Sequence, residues 1–486
     1  MRVKPFTLPK LALALFALSP VAGQAESVSF SQAWQTVVSQ NEGLAAERTK
    51  VDQAKYLQDA AWDLNLPQVS VGANYTRLDN DVTLSPSDIL SSTPAVQSGD
   101  AAKIIGELAQ KLQIPPSALS QITGDLNSAF TSTITDRNVF TSSIRAIWPI
   151  FTGGRINAAQ AIAEGKTEEA KYMLAMKKQA TYEDLSRFYF GVVLAEQVYK
   201  TRQEVEAGLK QHFEHAVKLQ QQGQIARVER LQAEAAYDKA KVETQKSKRD
   251  LEIVQVALTK LLNASSPITP TTTLFTNEQL PNLDSFLSQT LTTYPGLHLL
   301  DAKRKQANGL IDVEKGKYYP EVYLYGNYNI YDGHSLAAEL TPDWAVGVGV
   351  NIPLIDNTGR SGKLKAAHSA VSQVNHLQAQ AKQDLSVLVE KTYKEANQAL
   401  EEYQGLQSSL NLANENVRLR EKAFSQGLST SLDVVDAELF LASIKTQRLA
   451  ASYQYITSLT RLLAISGQMS EFNQYQKYRG LEVQSK

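Results

Sequence analysis

Asn138-Val-Phe-Thr-Ser-Ser-Ile-Arg-Ala-Ile-Trp-Pro-Ile-Phe-Thr-Gly-Gly-Arg155 is the stretch on which the fold turns. Phe140, Ile144, Ala146, Trp148 and Ile150 share one parity, and Thr141, Ser143 and Arg145 share the other. Period-two alternation predicts a strand near 138–150 with two unlike faces. Proline and two glycines then turn the chain at Arg155. Beyond them a helical pattern runs unbroken to about residue 221, which at 1.5 Å per residue is ~100 Å of helix.

The same transition occurs twice. Trp148-Pro-Ile-Phe-Thr-Gly-Gly-Arg155 is echoed by Ile352-Pro-Leu-Ile-Asp-Asn-Thr-Gly-Arg360, with the prolines 204 residues apart. Gly223 and Gly427 keep that offset. Leu66-Pro-Gln-Val69 and Tyr319-Pro-Glu-Val322 are 253 apart, so the first copy carries 49 extra residues between Pro67 and Pro149. The chain therefore divides into repeat 1 (26–262), a connecting segment (263–282), repeat 2 (283–467) and a tail (468–486). Each repeat reads as a helix (28–65; 283–317), two strands (67–79 and 138–150; 321–331 and 343–352), a long helix (155–221; 360–425), a glycine tip and a returning helix. The connecting segment and the tail are expected to wrap the helices at mid-height. The last dozen residues are expected to lack fixed structure.

From Val389 to Phe424, 3,4 spacing selects Val389, Thr392, Ala396, Ala399, Tyr403, Leu406, Leu410, Ala413, Val417, Arg420 and Phe424. Nine of these eleven are apolar, which is a heptad seam. On the helices alone a periplasmic coiled-coil rod, or an adaptor protein without its own barrel, is the rival reading. The strands argue against it. They are ~10 residues long, enough to cross a bilayer when tilted. Aromatic residues lie near their ends, as in a barrel girdle. Four strands cannot close a barrel, and an open edge in lipid leaves backbone groups unpaired. Further copies of the chain are required. Three would give twelve strands, whereas two would give eight and pack the interior shut. The fold class is an α+β membrane protein: a trimeric 12-stranded barrel, four strands per chain, continuing into a long helical tunnel. The insertion at 86–135, with helices near 100–112 and 116–129, belongs on the outer side, where barrel loops are longer.

The first 25 residues read as a cleaved secretory signal. Arg2, Lys4 and Lys10 precede an eight-residue apolar core, Leu11–Leu18, and a Gly-Gln-Ala site. The whole chain has net charge −1, so removing these three cations leaves −4. That balance argues against a nucleic-acid binder. With no cysteine there are no disulfides, thiolate metal sites or lipid-anchored cysteine. His212 and His215, at i, i+3, could share a metal, but no third ligand is placed and an exposed pair is the plainer reading. Nucleophile-elbow, zinc-protease and nucleotide-loop motifs are lacking, so the chain reads as no enzyme and needs no cofactor.

Taken together, the two junctions and Gly427-Leu-Ser-Thr-Ser-Leu-Asp-Val-Val-Asp-Ala-Glu438 resemble the TolC-like outer-membrane efflux family. The resemblance covers nearly the whole mature chain. It implies a homotrimer in outer-membrane lipid with a periplasmic extension. It also implies a periplasmic adaptor (membrane fusion) protein and an inner-membrane pump, proton-driven or ABC-type, as partners. The residues of the pattern carry over in turn. Asp433 and Asp436 fall on an aspartate pair lining the periplasmic entrance. Phe424, Glu229 and Ser429 fall on positions of the links that hold the mouth shut. Ser429 stands where some members have an arginine, so another pair must supply any ion pair here. Gln222, Gly223, Gln224, Gln426, Gly427 and Leu428 form the tips that meet the adaptor. Asp433 and Asp436 are three apart on a helix, so three chains could place six carboxylates in one ring. Such a ring favours cations and raises some carboxylate pKa values. Cargo is not encoded in the walls of a duct; small toxic compounds, metals and polypeptides all remain open.

Overall fold

The computed structural model describes residues 26–94, 100–111, 115–331, 333, 336–355, 357–479 and 481–482. The signal segment inferred from the sequence lies outside them. In chain order the first half contains β1 (Glu26–Val28), α1 (Phe30–Gln40), α2 (Glu42–Trp62), β2 (Gln68–Arg77), β3 (Val82–Leu84), α3 (Pro86–Ser91), α4 (Asp100–Lys111), α5 (Pro116–Ala129), β4 (Ser132–Thr135), β5 (Asn138–Phe151), α6 (Arg155–Gln221) and α7 (Arg227–Leu261). The second half contains β6 (Ile268–Pro270), β7 (Phe275–Thr276), α8 (Leu283–Thr293), α9 (Pro295–Gly316), β8 (Glu321–Tyr331), α10 (Leu336–Glu339), β9 (Trp344–Asn351), α11 (Arg360–Ser425), α12 (Ser431–Ile465), α13 (Phe472–Arg479) and β10 (Leu481–Glu482). These residues form two compact units. One comprises the described residues of Met1–Ala54, Thr167–Lys303 and Val374–Lys486; the other comprises Lys55–Lys166 and Arg304–Gln373. Each repeat contributes to both.

The second unit is built on a sheet in the order β2-β5-β8-β9, antiparallel throughout. The register carries the apolar parity straight across it. Val69 faces Ala146, which faces Gly326 and then Val346; Val71, Ile144, Tyr328 and Trp344 form the next row. Most of these large apolar side chains are exposed, Val346 by 73%. The other face runs Ser70, Arg145, Asn327, Ala345 and, beside it, Gln68, Ile147, Tyr325, Gly347. Tyr323 and Tyr325 lie across Gly349 and Gly347, where a Cβ would stand under 3 Å from the rings. The Trp148 indole N–H donates to Asn65 O at 2.8 Å, so this aromatic near the strand end is satisfied.

The junctions are locked by arginine. Gly153 has φ 65°, and a Cβ there would come within 2.3 Å of Gly316 O, so only glycine fits. Arg155 donates to Thr152 O at 3.0 Å and pairs with Glu321. Arg360 donates to Lys317 O, Pro353 O and Leu354 O and lies over the Tyr318 ring.

The first unit is helical. Each leading helix of the repeats is two helices rather than one, broken at Asn41 and at Tyr294. Tyr294 precedes Pro295, whose ring disfavours helical backbone at the residue before it. The core gathers Phe30 against Tyr182, Tyr189, Phe190 and Phe472, with ring centroids 4.6–5.5 Å apart. The Tyr189 hydroxyl donates to Val28 O and accepts from the Thr271 and Thr272 amides. It thereby ties β1 to the connecting segment, where β1 pairs with β6 in parallel. In the tail, α13 runs to Arg479 and buries Phe472 in the core, and β10 pairs with β7; residue 480 and residues 483–486, on which part of the sequence expectation falls, lie outside the described residues. Of the eleven α11 seam positions, Val389, Thr392, Ala396, Ala399, Leu410, Ala413 and Phe424 are buried, while Arg420 is exposed. Among the described residues no helix is long and apolar enough to cross a membrane.

Candidate functional site at the helical tips

Both helical hairpins of the first unit end in the same way. Gly223 and Gly427 adopt φ 72° and 74°. The Gln224 amide donates to Leu219 O and the Leu428 amide to Ala423 O, both at 2.9 Å. This is a Schellman closure, and its left-handed residue is why a glycine stands at each tip. Gln222, Gly223, Gln224, Gln426, Gly427 and Leu428 are all exposed, Leu428 by 77%.

The returning helices start differently. Ala226 gives α7 no side-chain cap. Thr430 caps α12 in a full capping box with Asp433. One carboxylate oxygen of Asp433 accepts from the Thr430 amide at 2.9 Å, the Thr430 hydroxyl at 2.8 Å and the Ser429 hydroxyl at 2.9 Å. These bonds, the backbone one foremost, hold Asp433 at about 2, with help from Arg420 at 3.5 Å. Ser429 therefore serves the start of its own helix. The cation nearest this turn is Arg420, the exposed polar member of the α11 seam, 3.5 Å from Asp433 Oδ1.

The two hairpins meet at Ser431. Its amide donates to Glu229 Oε2 of the first hairpin at 2.7 Å, and its Oγ lies 2.6 Å from His212 Nε2. A carboxylate at a helix N-terminus also meets the positive end of the helix dipole. His212 is buried, and burial, with His215 beside it, lowers its pKa to about 4. This corrects the sequence reading of an exposed histidine pair. Val205, Leu209, His212, Ala216 and Leu219 recur at 4,3,4,3 spacing, so His212 occupies a helix seam. Its ring centroid is 4.5 Å from that of Phe424. Phe424 is 2% exposed and packs with Ala216, Ala233 and Val434. It acts here as an apolar plug between hairpins. One turn along α12, Asp436 is exposed and has no partner among the described residues; it lines a groove with Arg202, Lys239 and Glu243. Glu438 lies over Gly208, where a Cβ would stand 2.8 Å from its carboxylate. Burial and then Glu421 push Glu438 up to about 7, against the pull of Lys445.

Phe424, Glu229, Ser429 and Asp433 thus come together around the first turn of α12, and Asp436 stands apart. Sequence reasoning missed Ser431 and the pairing of Arg420 with Asp433, and it misread His212 as exposed. Among the described residues no cluster of three or more His, Asp or Glu could hold a metal ion.

The family model described as outer membrane efflux protein matches residues 33–264 and 286–468. No curated protein sequence matches. Among solved structures, CusC matches with TM-score 0.70 at 14% identity, over 90% of this chain and 92% of that one. The Campylobacter jejuni CmeC outer membrane channel matches with TM-score 0.69 at 12% identity, over 96% and 94%. The open-state Neisseria gonorrhoeae MtrE outer membrane channel matches with TM-score 0.68 at 18% identity, over 90% and 89%. These likenesses establish the fold, and with the family match they remove the rod or barrel-less adaptor as a reading. The family is one of channels, not of enzymes, and its members form trimers that work with adaptor and pump partners. The match takes in both repeats, the strands and the tips alike, and the chain belongs to the outer membrane efflux protein family, as an outer-membrane channel with a periplasmic extension.

Proposed function

We propose that three copies of this chain close a twelve-stranded barrel, and that their six hairpins form a periplasmic mouth narrowed by Asp433 and Asp436. The observation that carries the reading is the β2-β5-β8-β9 sheet. It presents an exposed apolar face, and β2 and β9 each have one strand neighbour among the described residues. Lipid does not tolerate such edges, so strands of neighbouring chains complete them.

At the mouth, capping occupies one oxygen of Asp433 and Arg420 stands near the other. Asp436 supplies the freer carboxylate, so it carries more of the cation preference. The closed state is held by the Glu229–Ser431 and His212–Ser431 contacts within each chain, around the Phe424 plug. An adaptor bearing on Gln222, Gly223, Gln224, Gln426, Gly427 and Leu428 would open it by binding the parted hairpins better than the joined ones. Energy comes from the pump, and cargo choice lies there too. In planar bilayers the purified protein should form cation-selective channels. Asp436→Asn should lower that selectivity more than Asp433→Asn does; equal selectivity in wild type and both variants would refute the ring.

A further inference from the structure

The four strands of the sheet contain one acidic residue, Glu321, and two basic ones, Arg77 and Arg145. Arg77 shares the apolar parity at the end of β2. Glu321 is committed to Arg155. Arg145 is left: it is exposed, on the polar face, and has no hydrogen-bond or ion-pair partner among the described residues. Its register neighbours are Ser70 on β2 and Asn327 on β8. Diagonal to it are Gly72, which has open space where a Cβ would be, and Tyr325. No carboxylate among the described residues pairs with it. Six residues of strand separate its Asn327 partner from Glu321, about 20 Å at 3.3 Å per residue. Both strands flanking β5 come from this chain, so assembly leaves these neighbours in place.

We propose that Arg145 forms an anion-binding station on the polar face of the sheet, which in the assembled channel is a mid-barrel ring of three guanidiniums that takes oxyanions. The proposal rests on the channel reading above. The guanidinium fork suits carboxylate and phosphate groups, while Ser70, Ser143 and Asn327 add neutral hydrogen-bonding groups around it. Its sign is opposite to that of the aspartates at the tips.

The test is block of single channels by citrate or inorganic pyrophosphate added on the extracellular side, which reaches the barrel without passing the tips. Wild type should be blocked by one or both, and the comparison tells whether carboxylate or phosphate is the better ligand. Arg145→Gln should raise the half-blocking concentration about tenfold, a loss of the size expected for charge-assisted contacts. Arg145→Lys should fall between them. Asn327→Asp sets a carboxylate opposite an intact Arg145 and should match Arg145→Gln; it reads the station even if Arg145→Gln fails to assemble. Block that is equal in wild type, Arg145→Gln and Asn327→Asp overturns the station while leaving the channel intact. Wild-type protein that forms no channels overturns the channel reading instead.

Discussion

Replacing Glu229 with alanine tests what holds the tips together. Its carboxylate accepts the Ser431 amide at 2.7 Å and is the acidic link from the first hairpin to the start of α12. A hydrogen bond to a charged acceptor is worth ~1.5–3 kcal/mol. The helix N-terminus adds ~0.3–1 kcal/mol. Water replaces part of this at a half-buried site, so about 2 kcal/mol per chain is reasonable. At 1.4 kcal/mol per factor of ten, each hairpin pair would part about 30-fold more often. Glu229→Gln keeps an acceptor but not the charge and should have about a fivefold effect. Ser429→Ala loses one of three bonds on Asp433 and no link between hairpins, so it should do little. Open probability of single channels in planar bilayers reads all three. If Glu229→Ala opens no more often than wild type, or Ser429→Ala opens as often as Glu229→Ala, the latch is not at Ser431.

Other outcomes follow from the same contacts. His212 is held at about 4 when buried and returns to about 6.5 when the hairpins part. Acid therefore favours the parted state, starting near pH 6.5 and saturating near pH 4; His212→Asn should flatten this pH dependence of opening. Glu438 behaves oppositely: the unfolded chain loses this proton near 4.5 and the folded chain near 7, so stability falls as pH rises across that window. Glu438→Gln should raise the melting temperature at pH 8, by ~1–2 kcal/mol in stability after discounting for partial exposure, and leave it unchanged at pH 4. Gly153→Ala should prevent assembly, because its Cβ meets Gly316 O at 2.3 Å. Gly154→Ala, with open space around it, should cost only the left-handed backbone penalty of ~1–2 kcal/mol. Equal yields of heat-resistant assembly from the two variants would contradict this.

Long periodic signals were legible in the sequence and short-range pairings were not. The alternation from Phe140 to Ile150 identifies β5 and its two faces because every residue of the strand repeats the same message. The 3,4 spacing from Val389 to Phe424 foretells the α11 seam for the same reason. β1 and β6 pair over three residues from segments 242 residues apart, too short to leave a pattern. The tip contacts were half visible. Asp433 could be picked as an acid after a glycine break, and Glu229 by the resemblance. Nothing in one dimension says that the Glu229 carboxylate would reach a backbone amide on another helix, because any residue at 431 supplies that N–H. His212 was misread as exposed because histidine is polar by type, although its seam spacing marks it as buried. Arg420 looked like a lapse in an apolar seam, and the structure makes it the partner of Asp433.

The central claim is that one chain supplies a third of a barrel. Native mass spectrometry of the mature protein, extracted from outer membranes in mild detergent, tests it most directly. The sheet of four strands with completed edges predicts a single species of three chains. A species of one chain, or of two, would contradict the twelve-stranded closure and everything inferred from it about the mouth.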